Sequence, residues 1–170
     1  MRQGAVRAVT PFIQDWQVSA FQPSAGRLES LAYPTDLARL GMQKRWFRGE
    51  FCDLHADIAA LDGDALVYYA TRFKCAEAMS LALLLGYDGP VRLWVDGEAR
   101  FHDPNGTNPA VTDAQKIRLE AAAGEHVIVV ALGTNHGAAW GIFLRLERTD
   151  LSKAVLKKGP AFWALPEMAC

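Results

Sequence analysis

Gly86-Tyr87-Asp88-Gly89-Pro90-Val91-Arg92-Leu93-Trp94-Val95-Asp96-Gly97-Glu98 sets two Asp-Gly pairs around a short alternating run. Asp-Gly between hydrophobic stretches favours a tight hairpin turn, because its central residues take φ > 0 and glycine reaches that region without steric cost. The segment predicts strand, turn, strand, turn, strand, which is antiparallel pairing without a helical crossover. Alternation places Val91, Leu93 and Val95 on one face and Arg92, Trp94 and Asp96 on the other. The apolar set must face the core, so Arg92 points away from it.

The pattern extends outward from this segment. Strands are predicted at Phe51 to Leu54, Ala65 to Phe73, Ala78 to Leu85, Val91 to Val95, Lys116 to Glu120, His126 to Leu132 and Trp140 to Arg148. Gly, Pro, Asp or Asn bounds each of them. The runs Val67-Tyr68-Tyr69 and Val127-Ile128-Val129-Val130 are β-branched or aromatic and suit strands buried between two layers. Ala114 to Ala123 has helical composition, yet Gly124 and the partner strand at His126 leave room only for a strand and turn. Seven or eight short antiparallel strands predict an all-β sandwich or jelly roll spanning residues 46–150. Residues 1–45 read as an irregular N-terminal segment broken by Pro11, Pro23 and Pro34. Within it, Trp16 to Phe21 suits a short strand, and Leu37 to Gly41 suits one helical turn with a glycine stop. In the tail, residues 151–170, Lys153, Lys157 and Lys158 form a solvated face while Phe162, Trp163 and Leu165 pack on the sandwich edge.

Composition narrows the function classes. The chain has 170 residues, is 51% hydrophobic and 22% charged, and carries a formal net charge of −1. That is ordinary globular composition for one domain, and it offers no electrostatic footprint for nucleic acid or an anionic membrane. No apolar run approaches a membrane span, and no apolar stretch follows Met1 to Arg7 as a signal peptide requires. Cys52, Cys75 and Cys170 lack metal-site spacing. Cys52 and Cys75 fit either buried free thiols or a disulfide, and terminal Cys170 is expected to be exposed.

The chemistry sits in aromatics and polar loops. An indole with one polar edge on a partly exposed face is a platform for a sugar ring, whose C–H groups stack while neighbouring side chains bind the hydroxyls. Trp94 beside Arg92 fits that description, and it equally fits a tryptophan covered by the N-terminal segment or the tail. The loop Phe101-His102-Asp103-Pro104-Asn105-Gly106-Thr107-Asn108-Pro109 and the loop Gly133-Thr134-Asn135-His136-Gly137-Ala138-Ala139-Trp140 can share one end of a sandwich. His102, Asn105, Asn108, Asn135, His136 and Trp140 are then a candidate pocket rim. No nucleophile elbow, phosphate loop or H-E-x-x-H motif is present. Asp88, Asp96 and Asp103 are the carboxylates open to acid–base work, but two of them sit in Asp-Gly turns.

From Ala65 onward the chain resembles the galactose-binding-like jelly roll that accompanies bacterial glycoside hydrolases and polysaccharide lyases. The resemblance rests on Tyr68-Tyr69-Ala70-Thr71, Leu85-Gly86-Tyr87-Asp88-Gly89-Pro90 and Leu93-Trp94-Val95-Asp96-Gly97-Glu98. It continues through Asn108-Pro109-Ala110 with Asp113, Ala123-Gly124-Glu125-His126-Val127-Ile128-Val129 and Trp140-Gly141-Ile142-Phe143-Leu144-Arg145-Leu146. The family commonly writes N-G where this chain has Asp96-Gly97, and G-x-N where it has Gly124-Glu125-His126. The resemblance implies a non-catalytic carbohydrate-binding or accessory domain of a larger glycan-processing protein, with a glycan as ligand and a catalytic domain in the parent chain. It also implies an extracellular or periplasmic setting if the parent is secreted, and a structural Ca²⁺ by family analogy alone. Second is a structural or interaction module packing on a catalytic domain or on itself. Third is a small glycan hydrolase or lyase. An exposed tryptophan platform favours the first reading, a covered one the second.

Overall fold

Asp96 and Gly97 both have positive φ, 51° and 80°, and they close a hairpin between Val91–Val95 and Glu98–Asp103 as the Asp-Gly pair predicts. The computed structural model describes residues 4–24, 26 and 28–169, so Cys170 lies outside the described residues. The strands are β1 (Ala8–Val9), β2 (Asp15–Val18), β3 (Gln22–Pro23), β4 (Gln43–Trp46), β5 (Cys52–Asp53), β6 (Ala65–Cys75) and β7 (Met79–Tyr87). They continue with β8 (Val91–Val95), β9 (Glu98–Asp103), β10 (Gln115–Ala121), β11 (Gly124–Gly133), β12 (Gly141–Arg148) and β13 (Glu167–Ala169). Two short helices, α1 (His55–Ile58) and α2 (Lys153–Lys157), lie between strands. None of the helices among the described residues is long and apolar enough to cross a membrane.

The strands form two antiparallel sheets that make a sandwich. One runs β1-β12-β7-β10, with β5 also on β12; the other runs β4-β2-β6-β11-β8-β9, with β3 and β13 also on β6. Leu81, Leu83, Leu85 and Tyr87 of β7 meet Val67, Tyr69 and Phe73 of β6 and Leu93 of β8 in one core, all almost fully buried. Val91 and Val95 are buried there as well, as alternation predicts. Cys52 and Cys75 are buried free thiols.

A second, smaller core lies on the outer face of the larger sheet. Leu66, Tyr68, Ala70, Trp94, Val129 and Ala131 are buried there beneath Leu31, Tyr33, Leu37, Leu40 and Met42. The N-terminal segment is therefore a cover. This explains why β6 has no polar alternation from Ala65 to Ala70, since both of its faces are apolar. Among the covering pieces is the expected turn at Leu37–Leu40, capped by Asp36, whose side chain accepts from the Ala38 N–H, and ended by Gly41 at φ 67°.

Two expectations are corrected. Asp88-Gly89 is no hairpin turn: β7 belongs to the smaller sheet and β8 to the larger, so the chain crosses between layers there. Glycine is required because a Cβ on Gly89 would collide with Ala139 and lie 2.7 Å from the Gly133 carbonyl oxygen. In the tail, β13 pairs with β6 and Trp163 and Leu165 are half-buried, whereas Phe162 is 68% exposed.

Candidate functional site

One end of the sandwich gathers the crossover at Asp88, the loop after β9 and the loop between β11 and β12. The Gly106 backbone lies directly on Gly89, where a Cβ on Gly106 would be 2.6 Å from the Gly89 Cα. Thr107 donates through its hydroxyl to the Tyr87 carbonyl at 2.7 Å, and Asn108 Nδ2 donates to the Ala138 carbonyl at 3.0 Å. Asp103 holds its loop from below, accepting from the Asn105 and Gly106 N–H groups and from the Tyr87 hydroxyl. The two loops expected to share an end do so.

Trp140 is fixed in this cluster by its backbone. Its N–H donates to both oxygens of Asp88 at 2.9 Å, the Gly141 N–H donates to the same carboxylate at 3.1 Å, and the Trp140 carbonyl accepts from Leu54. Burial raises the Asp88 carboxyl above its ordinary pKa, against the pull of these N–H donors. The indole is 38% exposed. Its Nε1 donates to the Gly137 carbonyl, and one ring face stacks on the His55 imidazole with centroids 4.0 Å apart. The polar edge of the indole is thus satisfied internally, and the outward ring surface is open to solvent.

Asn135 and His136 follow each other in left-handed backbone, with φ 47° and 55°. That conformation is uncommon outside glycine and needs support from its surroundings. Asp64 supplies it, accepting from the His136 N–H, the Thr134 hydroxyl and the Ala65 N–H at 3.0–3.1 Å. Burial works to raise the Asp64 pKa, yet these donors and the nearby imidazole bring it below the ordinary value. Both side chains of the Asn135-His136 pair are exposed, so the loop holds them outward beside Trp140.

Three predicted site residues lie elsewhere. Trp94 is 2% exposed, with Tyr33 edge-on to it at 5.8 Å, so no sugar can reach its face. Arg92 is committed to the same cover, donating to the Leu28 carbonyl at 3.3 Å and to that of Glu29. His102 is exposed on β9, opposite Arg92 in register, on the outer sheet face. For Trp94 and Arg92 the reason is that the N-terminal segment lies across the face that alternation alone leaves open. Asn105 is exposed on the loop that meets the Trp140 cluster.

Sequence reasoning missed His55, whose only signal was Asp53 two residues earlier, the acceptor for its N–H. It also missed Asp64, which Asp62-Gly63-Asp64 presents merely as a turn. The carboxylates considered for acid–base chemistry each hold local structure. Asp88 and Asp103 do so as described, and Asp96 accepts from the Val127 N–H and faces His126. Cys52 has a thiol pushed up to about 12 by burial, far from nucleophilic use. Among the described residues no group of three or more His, Cys, Asp or Glu side chains is placed to hold a metal ion.

No family model matches the chain, and no curated protein matches it in sequence. Solved structures share its fold. A PA14 sugar-binding domain from an RTX adhesin superposes with a TM-score of 0.52 at 15% identity, over 82% of this chain and 93% of that one. A β-glucosidase from Kluyveromyces marxianus gives 0.54 at 11% identity, over 84% of this chain but only 17% of the enzyme. An anti-sigma factor domain-containing protein gives 0.53 at 12% identity, over 89% of this chain and 46% of the other. At these identities the likeness is one of fold, the antiparallel β-sandwich.

Proposed function

We propose that the chain is a single non-catalytic carbohydrate-binding or accessory domain, of the kind that galactose-binding-like jelly rolls form in larger glycan-processing proteins. Its ligand surface is the loop end, with Trp140 stacking on a sugar ring and Asn105, Asn108, Asn135 and His136 binding hydroxyls. The observation that carries this reading is the half-exposed Trp140 indole, held by Asp88 and His55 beside exposed amide and imidazole side chains. Stacking plus convergent polar groups is what sugar recognition needs. Support also comes from the fold, which is shared with a sugar-binding domain of an adhesin and with a small part of a β-glucosidase.

One or two sugars on an open surface bury little area, so the expected affinity is about mM to tens of µM, roughly −4 to −7 kcal/mol. The test is a glycan-array screen followed by calorimetry on the protein and on Trp140→Ala, with an assay for released reducing sugar. Binding that the substitution abolishes, without turnover, supports the reading. Binding that survives it moves the site elsewhere, and released sugar makes the chain an enzyme.

A second reading is an interaction module. It is favoured by the covering of Trp94 and by the exposure of Phe162 at 68%, an apolar ring that a partner or a catalytic domain of the same parent chain would bury. Absence of binding to any glycan, with self-association or domain association instead, would select it.

A further inference from the structure

The outer face of the larger sheet carries a groove that sequence reasoning did not anticipate. β6 changes partner along one edge: β2 pairs with it at Tyr69 and Ala70, and β13 takes over at Arg72 to Lys74. Where the two partners diverge, an open groove of about 440 Å³ runs between them and the turn at Leu37. That volume lies within the range of small-ligand sites. Leu37, Met42, Ala70 and Val127 give it an apolar floor, and Asp15, Gln17, Lys44 and Arg72 stand around it.

Trp46 stands on the same face. Trp16 and Val18 point into the core, so Asp15 and Gln17 point outward, and so do their ladder partners Trp46 and Lys44. Trp46 is 59% exposed and pairs with Asp15, a residue of the groove wall. Among the described residues neither Lys44 nor Arg72 makes an ion pair, whereas eight Arg or Lys pairs with carboxylates brace other parts of the molecule.

We propose that this groove is a second carbohydrate site, separate from the loop end, and that it binds an acidic oligosaccharide built from hexuronic acid residues. The two cations and the groove floor by themselves would suit many amphipathic anions. Asp15 narrows the choice, because its carboxylate repels a simple anion yet accepts hydrogen bonds from hydroxyls. A ligand that satisfies Asp15, Gln17, Lys44 and Arg72 together carries hydroxyl donors and carboxylates on one scaffold. A pyranose ring also presents the C–H surface that the Trp46 indole and the apolar floor can cover.

The experiment is calorimetric titration of the protein with trisaccharides of galacturonic, glucuronic and mannuronic acid, each beside its methyl ester, which keeps the hydroxyls and removes the charge. At least one free acid should bind about tenfold more tightly than its ester, and raising the salt concentration should weaken it. Arg72→Gln, Lys44→Gln and Trp46→Ala change exposed side chains, and each should lower the affinity by about tenfold. Trp140→Ala should leave it unchanged. Equal binding of acid and ester, loss on Trp140→Ala but not on Trp46→Ala, or no binding of any uronate would overturn the proposal. Neutral glycans binding at Trp140 are independent of these outcomes.

Discussion

At the scale of single residues, His126 shows how one side chain ties the sheet ends together. Its ring stacks on Phe73 at 5.0 Å. Nδ1 faces the Asp96 carboxylate and Nε2 the Ala122 carbonyl, both at 2.7 Å. Two acceptors can be satisfied only by an imidazolium, which has two N–H donors. Burial lowers the pKa of this ring, but the Ala122 carbonyl and the Asp96 carboxylate outweigh it and hold the value above 6.5. A group raised in the folded state contributes stability that is complete below its unfolded pKa and is lost as pH rises through the folded one. His126→Ala should therefore cost ~1–2 kcal/mol at pH 5.5, with the exposure of Asp96 limiting the effect. The gap from the parent should narrow by pH 8.5. Urea unfolding at the two pH values measures it, and a gap that widened with pH would contradict the charged assignment.

At the scale of elements, the crossover and the cover dominate. Gly89→Ala puts a methyl group into Ala139 and the Gly133 carbonyl, and it should cost at least the ~1–3 kcal/mol of an overpacked site. Thermal unfolding checks this, and a change within about 0.5 kcal/mol would mean the contact is not close. Leu93→Ala empties a fully buried position and should cost ~2–5 kcal/mol. Trp94→Ala should cost ~3–5 kcal/mol and also loosen the cover, seen as faster proteolysis between Leu28 and Leu40 than in Leu93→Ala. The sequence made the hairpin at Asp96-Gly97 legible, because a turn with positive φ has few chemical solutions. Asp88-Gly89 looked the same, since glycine serves close approach as well as turns, and only the packing of Ala139 and Gly106 distinguishes the two uses. The burial of Trp94 was written in the unbroken apolar run Ala65 to Ala70, which requires cover on both faces. What supplies that cover is a long-range matter that local periodicity does not carry.

At the scale of the whole molecule, the sandwich carries the two surfaces proposed as ligand sites, the loop end and the groove. The loop end was legible from its Asn, His and Trp content, and the structure assembles Asn108, Asn135, His136 and Trp140 there. The groove was not legible, because it arises where β2 and β13 share one edge of β6, a pairing between residues far apart in the chain. Trp140 is proposed as the sugar platform of the loop end. Its indole N–H donates to the Gly137 carbonyl, so in a ¹H–¹⁵N spectrum it reports any ring stacked against it. Titration with neutral oligosaccharides selected from the array should shift the Trp140 indole resonance together with the Asn108 and Asn135 side-chain amides, saturating at mM to tens of µM, about the range expected for an open site. A glycan that binds while these three signals stay still, or no glycan that moves them, would contradict the account.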